Sequence, residues 1–254
     1  MRITPIAALQ DNYIWLLDNG SHALCIDPGQ AEPVLDFVRQ HRLQLDSIWL
    51  THFHHDHIDG VAELAQQFSQ VAIYGASDVQ AALSPLSIHT VGEGSCVKWH
   101  NITAQVWHTA GHTEQHLSYL LDVSGSLHVF CGDTLFAAGC GRAFTQRPDW
   151  LYHSLQRFNT LPENTLFYPA HEYTASNLRF AVHLEPDNAQ IQAALIAAYN
   201  TPTLPTTLMH ERQINPFLRV HLPSIRQQAE HFSGSTLNDE MAVFTALRAW
   251  KNVF

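Results

Sequence analysis

Between positions 52 and 57 the chain reads His-Phe-His-His-Asp-His, directly after Thr51. Four of these residues, His52, His54, Asp56 and His57, carry donors that bind divalent metal ions. Imidazole and carboxylate together suit zinc, iron or manganese. His52 and His54, two positions apart, can point the same way and grip one ion, while Asp56 and His57, past the turn, can face a second. The competing reading is a histidine-rich loop in a chain that holds 18 histidines. Three further donors weigh against it: His112 in Thr109-Ala110-Gly111-His112-Thr113, Asp133 in Cys131-Gly132-Asp133-Thr134, and His171 in Tyr168-Pro169-Ala170-His171-Glu172. One His or Asp at a strand end is ordinarily a cap or a turn former. Three of them, each at a strand-to-loop junction, point to a metal centre.

The elements that must position these donors are legible as alternating apolar runs and turn residues. Residues 13–17 and 23–26 read as strands around Asp18-Asn19-Gly20-Ser21, a hairpin signal. A helix is predicted over 31–43, with Val34, Leu35 and Val38 on one face. A buried strand at 47–50 runs straight into the histidine cluster. A short helix over 60–68 and a strand at 71–74 come next. Further strands are predicted at 96–99, 102–107, 117–121 and 127–130, the last two joined through Val123-Ser124-Gly125. From about Tyr173 onward the spacing is helical only, over 178–184, 189–199, 225–232 and 237–250. Strands with helices first, then helices alone, predict an α/β domain over 1–172 and a helical domain over 173–254.

Composition limits the function classes. Lys and Arg total 13 against 23 Asp and Glu, a net charge of −10, which disfavours a nucleic-acid binder that relies on a broad basic face. With 46% hydrophobic residues the chain can bury a sizeable core, so it is not disordered. Cys25, Cys96, Cys131 and Cys140 show no Cys-x-x-Cys spacing and read as reduced thiols. Residues 1–20 hold one basic residue, and Gln10-Asp11-Asn12 interrupts the apolar run, which fits neither a secretory leader nor a transit peptide. No apolar stretch approaches the roughly 20 residues of a membrane span. The expectation is a cytoplasmic protein with no membrane or nucleic-acid partner, and a monomer.

The segment Thr51 to His57 resembles the T-H-x-H-x-D-H signature of the metallo-β-lactamase superfamily, and the chain as a whole resembles its hydroxyacylglutathione hydrolase (glyoxalase II) family. The resemblance implies a metallo-β-lactamase-like αββα sandwich, two mixed β-sheets flanked by helices, with a C-terminal helical domain. It also implies two divalent ions per chain, zinc first, with iron or manganese accepted by the same donors. By position, His52, His54 and His112 would hold one ion, Asp56, His57 and His171 the other, and Asp133 would bridge both and orient the hydroxide. Asp59 and His116 are candidates for groups that orient the ligand imidazoles; otherwise Asp59 caps the next helix and His116 sits on a surface strand.

Substrate class must come from residues outside the metal loop. Gly139-Cys140-Gly141-Arg142, His171-Glu172-Tyr173-Thr174 and Arg248-Ala249-Trp250-Lys251 resemble the family's glutathione pocket, which makes Arg142, Tyr173, Arg248 and Lys251 the substrate-binding candidates. Glutathione carries two carboxylates, and Arg248 and Lys251, three apart on a helix, share a face that can meet one. Phe144 stands where some members carry a tyrosine that contacts glutathione. The implied activity is hydrolysis of S-(2-hydroxyacyl)glutathione thioesters, chiefly S-D-lactoylglutathione, to D-lactate and glutathione by a metal-bridging hydroxide. The alternatives are another binuclear hydrolase of this fold, such as a lactonase, and a metal-binding module without catalysis.

Overall fold

The first 26 positions build three consecutive strands, β1 (Arg2–Ala8), β2 (Asn12–Asp18) and β3 (His22–Ile26), the last two near-continuous apolar runs buried on both faces. A computed structural model describes all 254 residues, 1–254. The chain divides into two compact units: Met1–His108 with Gln115–Gly132, and Thr109–Glu114 with Asp133–Phe254.

In the first unit, β1 to β3 pair antiparallel, and the chain then crosses over through α1 (Glu32–His41) to β4 (Gln44–Trp49), parallel to β3. Helix α1 has a proline in its first turn, where no intrahelical N–H is needed, and buries Val34, Leu35 and Val38 as the 3–4 spacing predicts. After α2 (His55–Ile58) and α3 (Val61–Gln67) come β5 (Ala72–Gly75), α4 (Ser77–Ala82) and β6 (His89–Thr90). Strands β1 to β6 form one mixed sheet in sequential order. Its core includes Ile14, Leu16, Cys25, Val34, Val38, Ile48, Leu50, Val61 and Leu64. The four strands β7 (Cys96–Trp99), β8 (Ile102–His108), β9 (Leu117–Val123) and β10 (Ser126–Gly132) form an antiparallel meander. The β9–β10 turn is Ser124-Gly125, both at positive φ (55° and 83°), the twist a two-residue hairpin requires.

In the second unit, the hairpin β11 (Leu135–Phe136) and β12 (Gly139–Cys140) precedes α5 (Pro148–Asn159) and β13 (Leu166–Pro169). Then come α6 (Thr174–Leu184), α7 (Ala189–Ala197), β14 (Thr206–Thr207, paired with β13), α8 (Leu208–Ile214), α9 (Pro223–Ser233) and α10 (Glu240–Val253). Four of these helices match predicted segments. Helices α5 and α8 are additions: α5 buries Leu151, Ser154, Leu155 and Phe158, but Trp150 and Tyr152 on its other side blur the stripe in the sequence. No helix is long and apolar enough to cross a membrane.

Candidate metal centre

The histidine cluster begins where β4 ends. Two oxygens of Asp27 fix its first residue: Oδ1 accepts from the backbone N–H of Thr51 at 2.7 Å and Oδ2 from the Thr51 hydroxyl at 2.6 Å. Because that hydroxyl proton is spent on Asp27, its oxygen accepts from Nδ1 of the fully buried His52, 3.0 Å away. The same Asp27 Oδ2 accepts from Nδ1 of His57, also fully buried, at 3.1 Å. Pinning Nδ1–H in this way leaves the lone pair on Nε2 of both rings, the tautomer a metal needs. His52 Nε2 lies 3.0 Å from Nδ1 of His54, and the His52 and His57 ring centroids are 4.0 Å apart.

Asp56 lies in the first turn of the short α2, with Oδ2 3.6 Å from His57 Nε2. The Nδ2 of Asn12, a buried residue at the start of β2, donates to that Oδ2 at 3.2 Å and to the Asp56 carbonyl at 3.3 Å. Gly29 makes room for the turn, since a Cβ there would stand 1.9 Å from the Asp56 carbonyl oxygen. His116 is buried and stacks on His52 at 4.9 Å and 25°, a contact that limits ring rotation. Asp59 does not orient a ligand: its carboxylate is exposed and pairs with the exposed His55 at 2.9 Å, because one turn of α2 carries it to the outer face with His55. The orienting carboxylate of this unit is Asp27. Sequence reasoning missed it, although an Asp at a strand end before Pro28-Gly29 is the same kind of position as Asp133.

The second unit holds the remaining donors. Asp133 directs one oxygen to each of two imidazoles: Oδ2 is 3.4 Å from His112 Nε2 and Oδ1 is 3.5 Å from His171 Nε2. Two ligand atoms on one tetrahedral zinc at about 2.0–2.1 Å stand roughly 3.3 Å apart, so both spacings suit donors that share an ion. His112 Nδ1–H donates to the Arg142 carbonyl at 3.0 Å, which again leaves the lone pair on Nε2. Tyr173 lies flat on His171, with centroids 4.6 Å apart and planes 6° from parallel. Phe144 is exposed and meets His112 edge-on at 5.2 Å. The donor sets of both units therefore fit divalent metals.

The turn after Asp133 is held from beneath. A Cβ on Gly141 would stand 2.0 Å from the Asp133 carbonyl oxygen, so that position excludes any side chain. Asn215 Nδ2 donates to the carbonyls of Gly139 (2.9 Å) and Phe136 (3.3 Å), and buried Glu211 accepts from Ala138 N–H at 2.8 Å. Burial pushes the Glu211 carboxyl up to about 7, opposed by donors from Thr206, Asn215 and Ala138.

Arg248 and Lys251 lie on α10 with different roles. Arg248 is buried and its guanidinium donates to the carbonyls of Cys140 (2.8 Å) and Gly141 (3.3 Å), so it supports the β12 turn. Lys251 is half-buried, and burial followed by the charges of Arg248, Arg179 and Arg142 lowers its pKa. That depression reports a group of cations near enough to repel one another, in a protein of net charge −10. Arg179, exposed on α6, was not among the sequence candidates; nothing in the spacing connects it to α10.

A family model described as the metallo-beta-lactamase superfamily matches residues 9–171, and one described as hydroxyacylglutathione hydrolase C-terminus matches residues 172–254. ETHE1 from Myxococcus xanthus superposes with a TM-score of 0.65 at 25% identity, covering 100% of this chain and 99% of its own. TTHA1623 in a di-iron-bound form superposes with a TM-score of 0.62 at 26% identity, over 86% of this chain and all of its own. Fold and donor set together define a metallo-β-lactamase-fold protein, two mixed sheets flanked by helices with a helical C-terminal region. A hydroxyacylglutathione hydrolase from Neisseria meningitidis serogroup A is 56% identical over 254 residues, the full length of both chains. This chain belongs to the hydroxyacylglutathione hydrolase family.

Proposed function

We propose that the chain hydrolyses S-(2-hydroxyacyl)glutathione thioesters, chiefly S-D-lactoylglutathione, releasing D-lactate and glutathione. The observation that carries this is the full-length 56% identity to a hydroxyacylglutathione hydrolase. In this reading His52, His54 and His112 hold one divalent ion, Asp56, His57 and His171 a second, and Asp133 both. Zinc is the proposed metal, since neutral imidazole and carboxylate suit it, with iron and manganese as competitors. When bound, the ions supply Lewis acidity that makes water acidic near neutral pH and polarises a carbonyl oxygen.

The chain's own residues supply orientation and charge. Asp27, Thr51 and the Arg142 carbonyl hold Nδ1 protons on His57, His52 and His112, so Nε2 stays a ligand. Asn12 fixes Asp56. Asp133 accepts a hydrogen bond from the attacking oxygen and so sets its direction. Arg142, Lys251 and Tyr173 are proposed to receive the glutathionyl part, with Arg179 adding positive potential and Arg248 holding the turn that carries Arg142. Residues 1–172 are proposed as the catalytic part and 173–254 as the substrate-binding part of a cytoplasmic monomer. The spacing of Cys25, Cys96, Cys131 and Cys140, with no Cys-x-x-Cys pair, supports a reducing compartment.

The experiment is a substrate panel of S-D-lactoylglutathione, lactones, a β-lactam and RNA, with metal content measured on the same sample. Rapid release of glutathione from the thioester alone is expected. Intact thioester in the presence of two bound metals per chain would end this reading.

A further inference from the structure

A second constellation of metal donors lies in the first unit, at the end of β4 remote from the histidine loop. His22 opens β3, Asp46 lies near the start of β4, and His100 sits at the tip of the β7–β8 hairpin. One ligand atom from each falls within 4.8 Å of the others. Asp46 lies six positions before His52, about 20 Å of extended chain.

Three features of the backbone bring this trio together. Ala23 pairs with Leu45 but Leu24 pairs with Ser47, so Asp46 is the extra residue of a bulge, a device that re-aims a side chain. His100 has φ of 50°, a left-handed conformation that glycine or asparagine takes more readily, in the two-residue turn that joins Trp99 to Ile102. Asn19 Oδ1 accepts the His22 N–H at 2.8 Å and fixes the start of β3.

The carboxylate is itself oriented. Asp46 Oδ1 accepts from the indole N–H of buried Trp99 at 2.5 Å, which turns Oδ2 toward both imidazoles. His100 Nε2 is 2.8 Å from Oδ2 and His22 Nδ1 is 2.9 Å from it. The His22 atom is buried and makes no hydrogen bond although it stands 2.9 Å from Oδ2, so the two are not aligned as donor and acceptor. A nitrogen close to an oxygen but not aligned with it is the relation of two ligands that share a cation.

We infer that His22, Asp46 and His100 form a second metal site, for a divalent transition ion such as Zn2+, which ties the β7–β8 hairpin to the β3–β4 edge. Two neutral imidazoles and one carboxylate are a donor set for such ions, and the solvent-facing side leaves a position for water. Tetrahedral donors stand about 3.3 Å apart, so the observed spacings must open by about half an ångström. Both imidazoles can give that much, being 39% and 36% exposed in the side chain.

The test uses the metal-loaded full chain, dialysed into metal-free buffer and titrated with ZnCl2 by calorimetry and elemental analysis. Wild type is expected to take up one equivalent more than the His22→Gln/His100→Asn variant, in which asparagine keeps the left-handed turn. Zinc should also raise the wild-type Tm by about 5 °C at a hundredfold excess over Kd, and leave the variant unmoved. Thioester hydrolysis should be equal in both. Asp46→Asn, which still accepts from Trp99, provides a second variant and should lose the same equivalent. Equal zinc uptake by wild type and either folded variant overturns the site, because the trio is then a hydrogen-bonded staple only.

Discussion

Asp27 Oδ2 lies 3.1 Å from Nδ1 of His57 while the same carboxylate accepts both the backbone N–H and the hydroxyl of Thr51. One side chain therefore sets the tautomer of His57 directly and that of His52 through the Thr51 hydroxyl. Asp27 accomplishes this from a left-handed backbone position, φ 53°, which aspartate tolerates better than most residues. Replacing it by asparagine puts an amide NH2 against at least one of these donors. Asp27→Asn is expected to lower metal affinity by about 10–100-fold, the usual effect of losing such a partner. Metal content after dialysis against graded chelator reads this, and wild-type affinity in the variant would remove Asp27 from the centre.

Asp133 is the residue whose loss should separate a hydrolase from a passive metal-binding module. Its oxygens face His112 and His171 at 3.4 and 3.5 Å, and its backbone is packed under Gly141. Under the proposed function, Asp133→Ala removes the carboxylate that would bridge the ions and the acceptor that would direct attack. Turnover of S-D-lactoylglutathione should fall by at least about 100-fold, with the circular dichroism spectrum preserved. An unchanged rate would mean that the nucleophile is generated elsewhere.

How far the sequence could be read follows from these two carboxylates. Asp133 was visible because it stands after a predicted strand in a chain already carrying the 52–57 cluster. Asp27 stands after a strand too, yet its task depends on contacts 24 and 30 residues away, which no local spacing encodes. Asn12 and Asp46 were hidden for the same reason, and the bulge that aims Asp46 leaves no trace in polarity. Asp59 misled because an acidic residue near a metal loop looks like an orienting group until the turn of α2 is known. Many of the strands and four of the C-terminal helices were legible from periodicity, but the strand order was not, because pairing joins segments distant in sequence; α5 was hidden because aromatic residues widened its apolar face.

Arg248 and Lys251, three residues apart, should fail in different ways. Lys251 is half-buried among cations, its pKa lowered chiefly by burial and then by Arg248, Arg179 and Arg142. Lys251→Ala should raise KM for the thioester about 5–10-fold with little change in kcat, the loss of one partly screened charge contact. The wild-type KM should also rise at a pH below that at which an ordinary lysine loses its proton. Arg248→Ala instead strands the carbonyls of Cys140 and Gly141, and should cost about 1–3 kcal/mol of stability. Denaturant titration beside steady-state kinetics distinguishes the two; a pure KM effect for Arg248→Ala would make it a substrate contact instead.

Glu211 gives the fold a pH dependence that is independent of the metal donors' own titration. Its folded pKa is raised from 4.5 to about 7, chiefly by burial. The folded state therefore binds the proton more tightly than the unfolded one. The associated stability is fully present below about pH 4.5 and is lost as pH rises through about 7, after which the dependence is flat. A shift of this size corresponds to a few kcal/mol, reduced in practice by relaxation around the site. Glu211→Gln removes the titration, so the difference in unfolding free energy between wild type and variant should change with pH between 4.5 and 7 and be constant above. The comparison must be made within that window, because Gln also turns one amide N–H toward Thr206 or Ala138, a penalty that does not depend on pH. Urea unfolding at several pH values, with metal loading held constant, provides the measurement. A pH-independent difference would show that the three donated hydrogen bonds keep Glu211 ionised throughout.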